Sequence, residues 1–255
     1  MTQPFVRAAT EFTSRSSAEM AEGDKLKSLL LTTAPQLGPK WDVHLPVFLT
    51  APSLARILWL DSVYRLALDV PGRCLEFGSQ WGASLNLLLM LKMIHEPWNA
   101  GREIISFSTF DQGFTGVQVE DGGTVAVGDY AVNTGWRDTL HDLLATHAQR
   151  SPIGAERNFS IVEGDATQTL PRWLEEHPEA LISHAHFDMD IYAPTRDVLR
   201  HVLPRMPRGA VLIFDELNCP SFPGETLAVQ EVLGVANLRL RKSPFQPYSA
   251  YCVVE

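Results

Sequence analysis

The sequence predicts an α/β domain: a mostly parallel sheet with helices on both faces and an antiparallel last strand. Three observations predict it. From Arg73 onward, apolar segments of strand length alternate with segments of helical length, the pattern of strand–helix–strand crossovers. The first of these strands, Arg73-Cys74-Leu75-Glu76-Phe77, runs through a glycine-containing turn straight into a helical segment from Ala83 to Met93. Near the end of the chain, two short segments at 237–242 and 249–254 lie close enough for a hairpin-like return.

Taken in order, residues 1–22 are rich in Ser, Thr, Glu and Ala and receive no assigned structure; they read as a tail, or as an arm that orders against a partner or ligand. Helical stretches follow at 25–31 and 32–46, the second broken at Pro35, Pro39 and Pro46. Another at 53–68 places Leu54, Ile57, Leu58, Leu60, Val63, Leu66 and Ala67 close to a 3.6-residue period. Residues 1–68 are therefore read as an N-terminal helical extension and 69–255 as the α/β domain. Strands are predicted at 73–77, 103–108, 158–162, 182–189 and 209–214, and helices at 83–94, 134–150, 167–177, 194–203 and 224–233.

The composition is that of a globular chain, with 45% hydrophobic and 20% charged residues among 255. A formal net charge of -9 without a Lys/Arg run argues against nucleic acid or an anionic membrane as partner. Cys74, Cys219 and Cys252 are odd in number and widely spaced, which argues against a disulfide framework or a zinc site. There is no signal-peptide pattern and no apolar run of spanning length, so a cytoplasmic, reducing setting is expected.

The turn Gly78-Ser79-Gln80-Trp81-Gly82 has the spacing G-x-x-x-G. Two glycines permit a tight turn and close approach of a ligand to backbone, and the first N–H groups of the following helix face whatever sits there. Neither the dinucleotide fingerprint G-x-G-x-x-G nor the phosphate loop G-x-x-x-x-G-K-[ST] is present. An acid (Glu76), a glycine and a second glycine four residues on, after a first strand, resemble motif I of the class I S-adenosylmethionine-dependent methyltransferases. That resemblance implies their Rossmann-like fold, with the loop under the methionine part of the cofactor. An ordinary α/β connection is the plainer alternative.

One segment departs from the alternation. Gly113 to Tyr130 holds four more glycines after Gly113 and has no helical period. It leaves the carboxyl end of the second strand, where open α/β sheets bind ligands, so a lid over the acceptor is expected, with a solvated β-hairpin as the alternative.

Carboxylates gather at two further strand ends. His184-Ala185-His186-Phe187-Asp188-Met189-Asp190 is followed about 25 residues later by Val211-Leu212-Ile213-Phe214-Asp215-Glu216. Residues two apart on a strand face one side, so Asp188 and Asp190 are expected together, as are His184 and His186. On adjacent strands, about 4.8 Å apart, the four acids would crowd one region. No Lys or Arg adjoins them in sequence. Such a group is costly unless something positive binds, and a hard divalent ion suits oxygen ligands. Helix capping is the alternative for the acids, and a buried structural role for the histidines.

The set Leu66–Gly72, Cys74–Gly78, Gly82–Leu85, Glu163-Gly164 before Thr169-Leu170-Pro171, Asp188-Met189-Asp190-Ile191-Tyr192, and Asp215-Glu216 resembles the macrocin O-methyltransferase family over about residues 55–220. Those are metal-dependent enzymes that methylate sugar hydroxyls in antibiotic biosynthesis, and within that family the resemblance implies something close to the deoxysugar methyltransferases acting on nucleotide-linked rhamnose. Carried over residue by residue, the resemblance implies metal ligands Asp188, Asp215 and Glu216, with Mg²⁺ or Ca²⁺ as the ion. Asp190 is implied as general base, with His186 the other catalytic candidate. S-adenosylmethionine contacts are implied at Glu76, Phe77, Gly78, Ser79, Trp81 and Ser84, then Asp111, Asp165, Ala166 and Asp188. Two departures stand out. The pair Asp215-Glu216 replaces the family's usual Asp-Asp, which leaves room for Ca²⁺. The acid for the cofactor ribose falls nearer Ser108 in the family, so either Asp111 supplies it or the contact differs. The implied partner is a small-molecule sugar, and a homo-oligomer is expected. A nicotinamide oxidoreductase lacks support, since no Tyr-x-x-x-Lys pair occurs, and four intact carboxylates argue against a non-catalytic binding module.

Overall fold

A computed structural model describes residues 16–154 and 158–255. The predicted alternation is present. Parallel strands β1 (Arg73–Phe77), β2 (Ile104–Ser108), β3 (Phe159–Glu163), β4 (Ile182–Phe187) and β5 (Val211–Phe214) join antiparallel β6 (Arg241–Lys242) and β7 (Ala250–Val253) in one sheet. Its order is β3-β2-β1-β4-β5-β7-β6. Five predicted strands are shorter in the structure, those at 103–108 and 249–254 by one residue at one or both ends. The one expected at 182–189 stops at Phe187 and the one at 209–214 starts only at Val211. The one at 237–242 is reduced to two residues, which pair with Tyr251 and Ala250.

Helices α4 (Ala83–His95) and α5 (Trp136–Ala148) cross from β1 to β2 and from β2 to β3. Helices α6 (Ala166–Glu176) and α7 (Tyr192–Val202) return in the other direction, to β4 and β5. Because such crossovers are right-handed, the reversal puts the two helix pairs on opposite faces. Covered on both sides, the central strands read as continuous buried runs, and all six residues of β4 are buried, two histidines included. Helix α8 (Pro223–Leu233) packs beside α7.

At the N-terminus a helix, α1 (Ser17–Thr33), begins where no structure was assigned. Its start is fixed by a capping box: the Ser16 hydroxyl accepts from the Glu19 N–H while the Glu19 carboxylate accepts from the Ser16 N–H. The expectation for residues 1–15 lies outside the described residues. Helix α1 buries nothing. After the short α2 (Trp41–His44), helix α3 (Ala51–Tyr64) starts on a Thr50 cap and buries Trp59, Leu60, Val63 and Tyr64 in the same core as the sheet. The core thus runs across residue 68. Among the described residues no single helix is long and apolar enough to cross a membrane.

The segment from Gly113 to Tyr130 is not a solvated hairpin. It holds a single short 3₁₀ turn, Val119–Asp121, and no strand. Its base is closed by the Phe114 N–H on the Asp129 carbonyl and the Gly128 N–H on the Phe114 carbonyl, both 2.9 Å. Its inner turn is pinned by the buried Asp121 carboxylate, which accepts from the N–H groups of Gln118 (2.7 Å) and of Tyr192 (2.6 Å), the first residue of α7.

Candidate functional site

In the strand order found, the chain leaves β1 toward one edge and β4 toward the other, which opens a crevice at their carboxyl ends. A pocket sits there. One wall is the glycine turn, from Gly78 to Ser84; another is Ser108, Thr109 and Phe110 at the end of β2; a third is Gly164, Asp165 and Ala166 after β3; the fourth is Asp188 to Ile191 after β4. Gly113, Phe114, Thr115 and Tyr130 bring both ends of the irregular segment to its rim. Thr115 donates to Asp165 at 3.0 Å, so this segment is tied to the start of α6 as well as, through Asp121, to the start of α7.

Gly78 makes the crevice tight. Its φ is +99°, and a Cβ there would collide with the Asp188 carbonyl oxygen, so the turn lies flush on the end of β4. Among the described residues, five non-glycine residues carry left-handed backbone, Gln80, Phe110, Tyr130, Asp190 and Asn218, and the first four line the pocket. Strain of this kind collects where surrounding structure dictates it, commonly at ligand sites.

Of the residues assigned to the cofactor, Gly78, Ser79, Trp81, Ser84, Asp165, Ala166 and Asp188 line this pocket. Glu76 and Phe77 are fully buried beneath it. Phe77 stacks between Phe107 and Phe187, with ring centroids at 5.2 and 5.3 Å, and Glu76 accepts from the Ser79 hydroxyl at 2.5 Å, bracing the turn from below. Burial pushes the Glu76 carboxyl up, against the opposing pull of His186. Asp111 is exposed and outside the pocket: the left-handed turn at Phe110 buries that ring and directs the acid outward.

Asp188 and Asp190 both face the pocket, but strand alternation is not the cause. β4 ends at Phe187, and Asp190, with φ +62°, turns the chain toward α7. Asp215 and Glu216 follow β5 next door. The expected crowding is present electrostatically. Burial first, then Asp215, pushes the Asp188 carboxyl up; burial, then Glu216 and Asp215, does the same to Asp190. Glu216 is raised to about 7, mainly by burial. A fifth carboxylate, Glu225 on α8, is buried among them and accepts from the Glu216 N–H at 2.9 Å.

The cation missing from the neighbouring sequence arrives from α3. Arg56 Nη2 lies 3.0 Å from Asp188 Oδ2 and 2.5 Å from Asp215 Oδ2. Its Nε and Nη2 also donate to the Ser84 hydroxyl at 3.2 and 2.7 Å, and Nη1 donates to Gln246 Oε1 at 3.2 Å. Burial raises the Asp215 carboxyl, but Arg56 and then His186 more than reverse this and hold it below the usual range. Ser249, in the connection between β6 and β7, adds a contact to Asp215 at 3.4 Å. Arg56, Glu225, Gln246 and Ser249 were not foreseen. Arg56 had a signal: it stands three, four and seven residues before Trp59, Leu60 and Val63, a cation on the inward stripe of a helix.

The two histidines divide. His184 is stacked on Tyr64 at 4.9 Å and its Nε2 bonds the Tyr64 carbonyl at 2.8 Å, a structural role. His186, a catalytic candidate, is fully buried with Nε2 3.2 Å from Asp215 Oδ1 and does not line the pocket; its Nδ1 and the facing Glu76 Oε1 have no hydrogen-bond partner. It can position Asp215 but is not placed to meet an acceptor.

Among the described residues, one trio of potential metal ligands has donor atoms within 4.8 Å of one another: His186, Asp188 and Asp215. The two aspartates fit the implied set, and the locus demonstrably accepts positive charge, since Arg56 bridges them. Glu216 is not in the trio; its carboxyl interacts with Cys219.

No family model and no curated protein sequence matches the chain. Solved structures do. One of CalS11, a calicheamicin methyltransferase, is 36% identical at TM-score 0.88, covering 98% of this chain and 97% of that one. The apo structure of CalS11, there described as a TDP-rhamnose 3'-O-methyltransferase, aligns at TM-score 0.81 and 32% identity over 98% and 99% of the two chains. The O-methyltransferase NovP shares the fold at TM-score 0.59 and 16% identity, over 78% of this chain and 79% of its own. With a glycine turn and an acidic cluster meeting at the switch point of a methyltransferase sheet, and identity of this extent to a sugar-modifying enzyme, the chain belongs to the macrocin O-methyltransferase-like family of sugar O-methyltransferases.

Proposed function

We propose that this enzyme transfers the methyl group of S-adenosylmethionine to a hydroxyl of a nucleotide-linked deoxysugar, of which TDP-rhamnose is the first to test, with help from a divalent ion, in the making of an antibiotic. The observation that carries this is the single pocket in which the glycine turn and the Asp188–Asp190 strand end face each other, in a chain 36% identical to CalS11.

In the transfer, an O–CH₃ bond forms as the S–CH₃ bond breaks, and the hydroxyl proton must go elsewhere. Asp190 lies at the pocket wall to receive it, and a carboxyl pushed up by burial and by Glu216 is a stronger base than a surface aspartate. Asp188 and Asp215 would hold the ion, with His186 fixing Asp215 from beneath. Bound there, a divalent ion supplies Lewis acidity that orients and acidifies the acceptor hydroxyl. The turn from Gly78 to Ser84, braced by Glu76, would seat the methyl donor, and the Phe114–Tyr130 ring pair, 5.0 Å apart, would exclude water as the segment between them closes.

Methyl transfer measured against a panel of nucleotide sugars and glycosides, with and without EDTA, tests this. Turnover on TDP-rhamnose or a close analogue that EDTA abolishes and Mg²⁺ or Ca²⁺ restores is the expected result. Undiminished turnover in metal-free enzyme would sink the metal assignment and leave Arg56 as the site's cation.

A further inference from the structure

The carboxylates that would hold the ion already hold a guanidinium, and both cannot occupy the place between Asp188 and Asp215, because like charges a few ångströms apart in a largely buried site repel strongly. Arg56 has somewhere to go. It also lines a groove between α3 and α4 together with Pro52, Ser53, Ile57, Asn86 and Leu87, and none of the acids lines that groove. Asn86, one of the residues lining that groove, has a side-chain carbonyl oxygen that is buried without a hydrogen-bond partner. A buried acceptor left unpaired is costly, and a guanidinium, with five N–H donors in a fork, suits it. We propose that Arg56 is a displaceable internal cation: it neutralises Asp188 and Asp215 in the ion-free protein, and swings into the α3–α4 groove, onto Asn86, when a divalent ion enters. This rests on the metal-dependent reading above. It assigns Arg56 a positioning role: the acids stay pre-assembled before the ion arrives, and ion affinity is set by the balance between the two cations. Because Arg56 also bonds Ser84 in the first turn of α4, its departure frees that hydroxyl at the wall of the same pocket.

The test is calorimetric titration of the full chain with Ca²⁺ and with Mg²⁺, without methyl donor or sugar, in the wild type, Arg56→Gln, Asn86→Leu and the double variant. Removing the competing cation is expected to tighten ion binding at least tenfold in Arg56→Gln. Removing the landing acceptor is expected to weaken it three- to tenfold in Asn86→Leu, and that weakening should vanish in the double variant, which should bind like Arg56→Gln. Equal or weaker binding in Arg56→Gln overturns the proposal. So does an Asn86→Leu effect that persists in full without Arg56. Should Arg56→Gln not fold without an ion, Arg56→Lys keeps the charge but not the fork, and should bind the ion more tightly than wild type; no gain there also overturns it. Failure of the underlying reading is distinguishable: EDTA-insensitive turnover removes the metal, whereas EDTA-sensitive turnover with unchanged affinity in Arg56→Gln removes only the role of Arg56.

Discussion

The glycine turn and the carboxylate cluster face each other across one pocket, yet they are assembled in opposite ways. The turn is one contiguous stretch, braced by a residue two positions before it, Glu76, and the cluster draws on α3, β4, β5, α8 and the β6–β7 connection. A contiguous piece depends on backbone conformation; a gathered piece depends on charge balance among segments distant in sequence. The first is therefore sensitive to a single methyl group and the second to a single proton or charge.

The largest expected effect falls on the gathered side. Asp190→Asn keeps shape but cannot accept a proton, so turnover should fall by about 10²–10⁴-fold, while ion affinity from calorimetry stays within a few-fold of wild type. A wild-type rate would move the base elsewhere, and the burial of His184 and His186 would leave Glu216 as the carboxylate to test. Next comes the point where the backbones of the two pieces touch. Gly78→Ala adds a methyl group at φ +99° against the Asp188 carbonyl, which costs about 1–3 kcal/mol in backbone strain before the collision is counted. Lower thermal stability should appear together with at least tenfold weaker binding of both S-adenosylmethionine and the ion. If donor affinity fell while ion affinity held, the two pieces would be independent. The smallest effect concerns the histidine outside both. Burial lowers His184 to about 4, so the unfolded chain takes up a proton near pH 6.5 while the folded one does not. The stability tied to that neutral ring is therefore present above pH 6.5 and lost as pH falls toward 4. Between pH 7 and 5 this amounts to roughly 2 kcal/mol, and His184→Gln should flatten that part of the urea-denaturation profile. Identical slopes in both proteins would remove His184 from the account.

How much was legible follows the same division. The β1 turn, the order of strands and helices, and the acids after β4 and β5 could be placed, because each is written in local pattern or spacing. Arg56 could not be assigned to Asp188 and Asp215, since nothing in sequence joins it to residues 132 positions away and farther. Of α1 only the part from residue 25 onward was expected, and its beginning at Ser17 was missed because that start lies in the Ser16–Glu19 capping pair rather than in an apolar period: no residue of the helix is buried. Asp111 was implied by the resemblance, with a different ribose contact as the alternative, and it lies exposed and outside the pocket just after the left-handed Phe110.

The left-handed residues around the pocket bear on any attempt to make this enzyme more heat-resistant. Gln80, Phe110, Tyr130 and Asp190 each hold a conformation that glycine adopts freely, at a cost on the order of 1–3 kcal/mol apiece. They are thus among the positions where a screen for thermal tolerance finds its easiest gains, and every gain there relaxes the rim against which substrate must be aligned. Selecting for melting temperature alone would enrich variants that survive heating with a slackened active site.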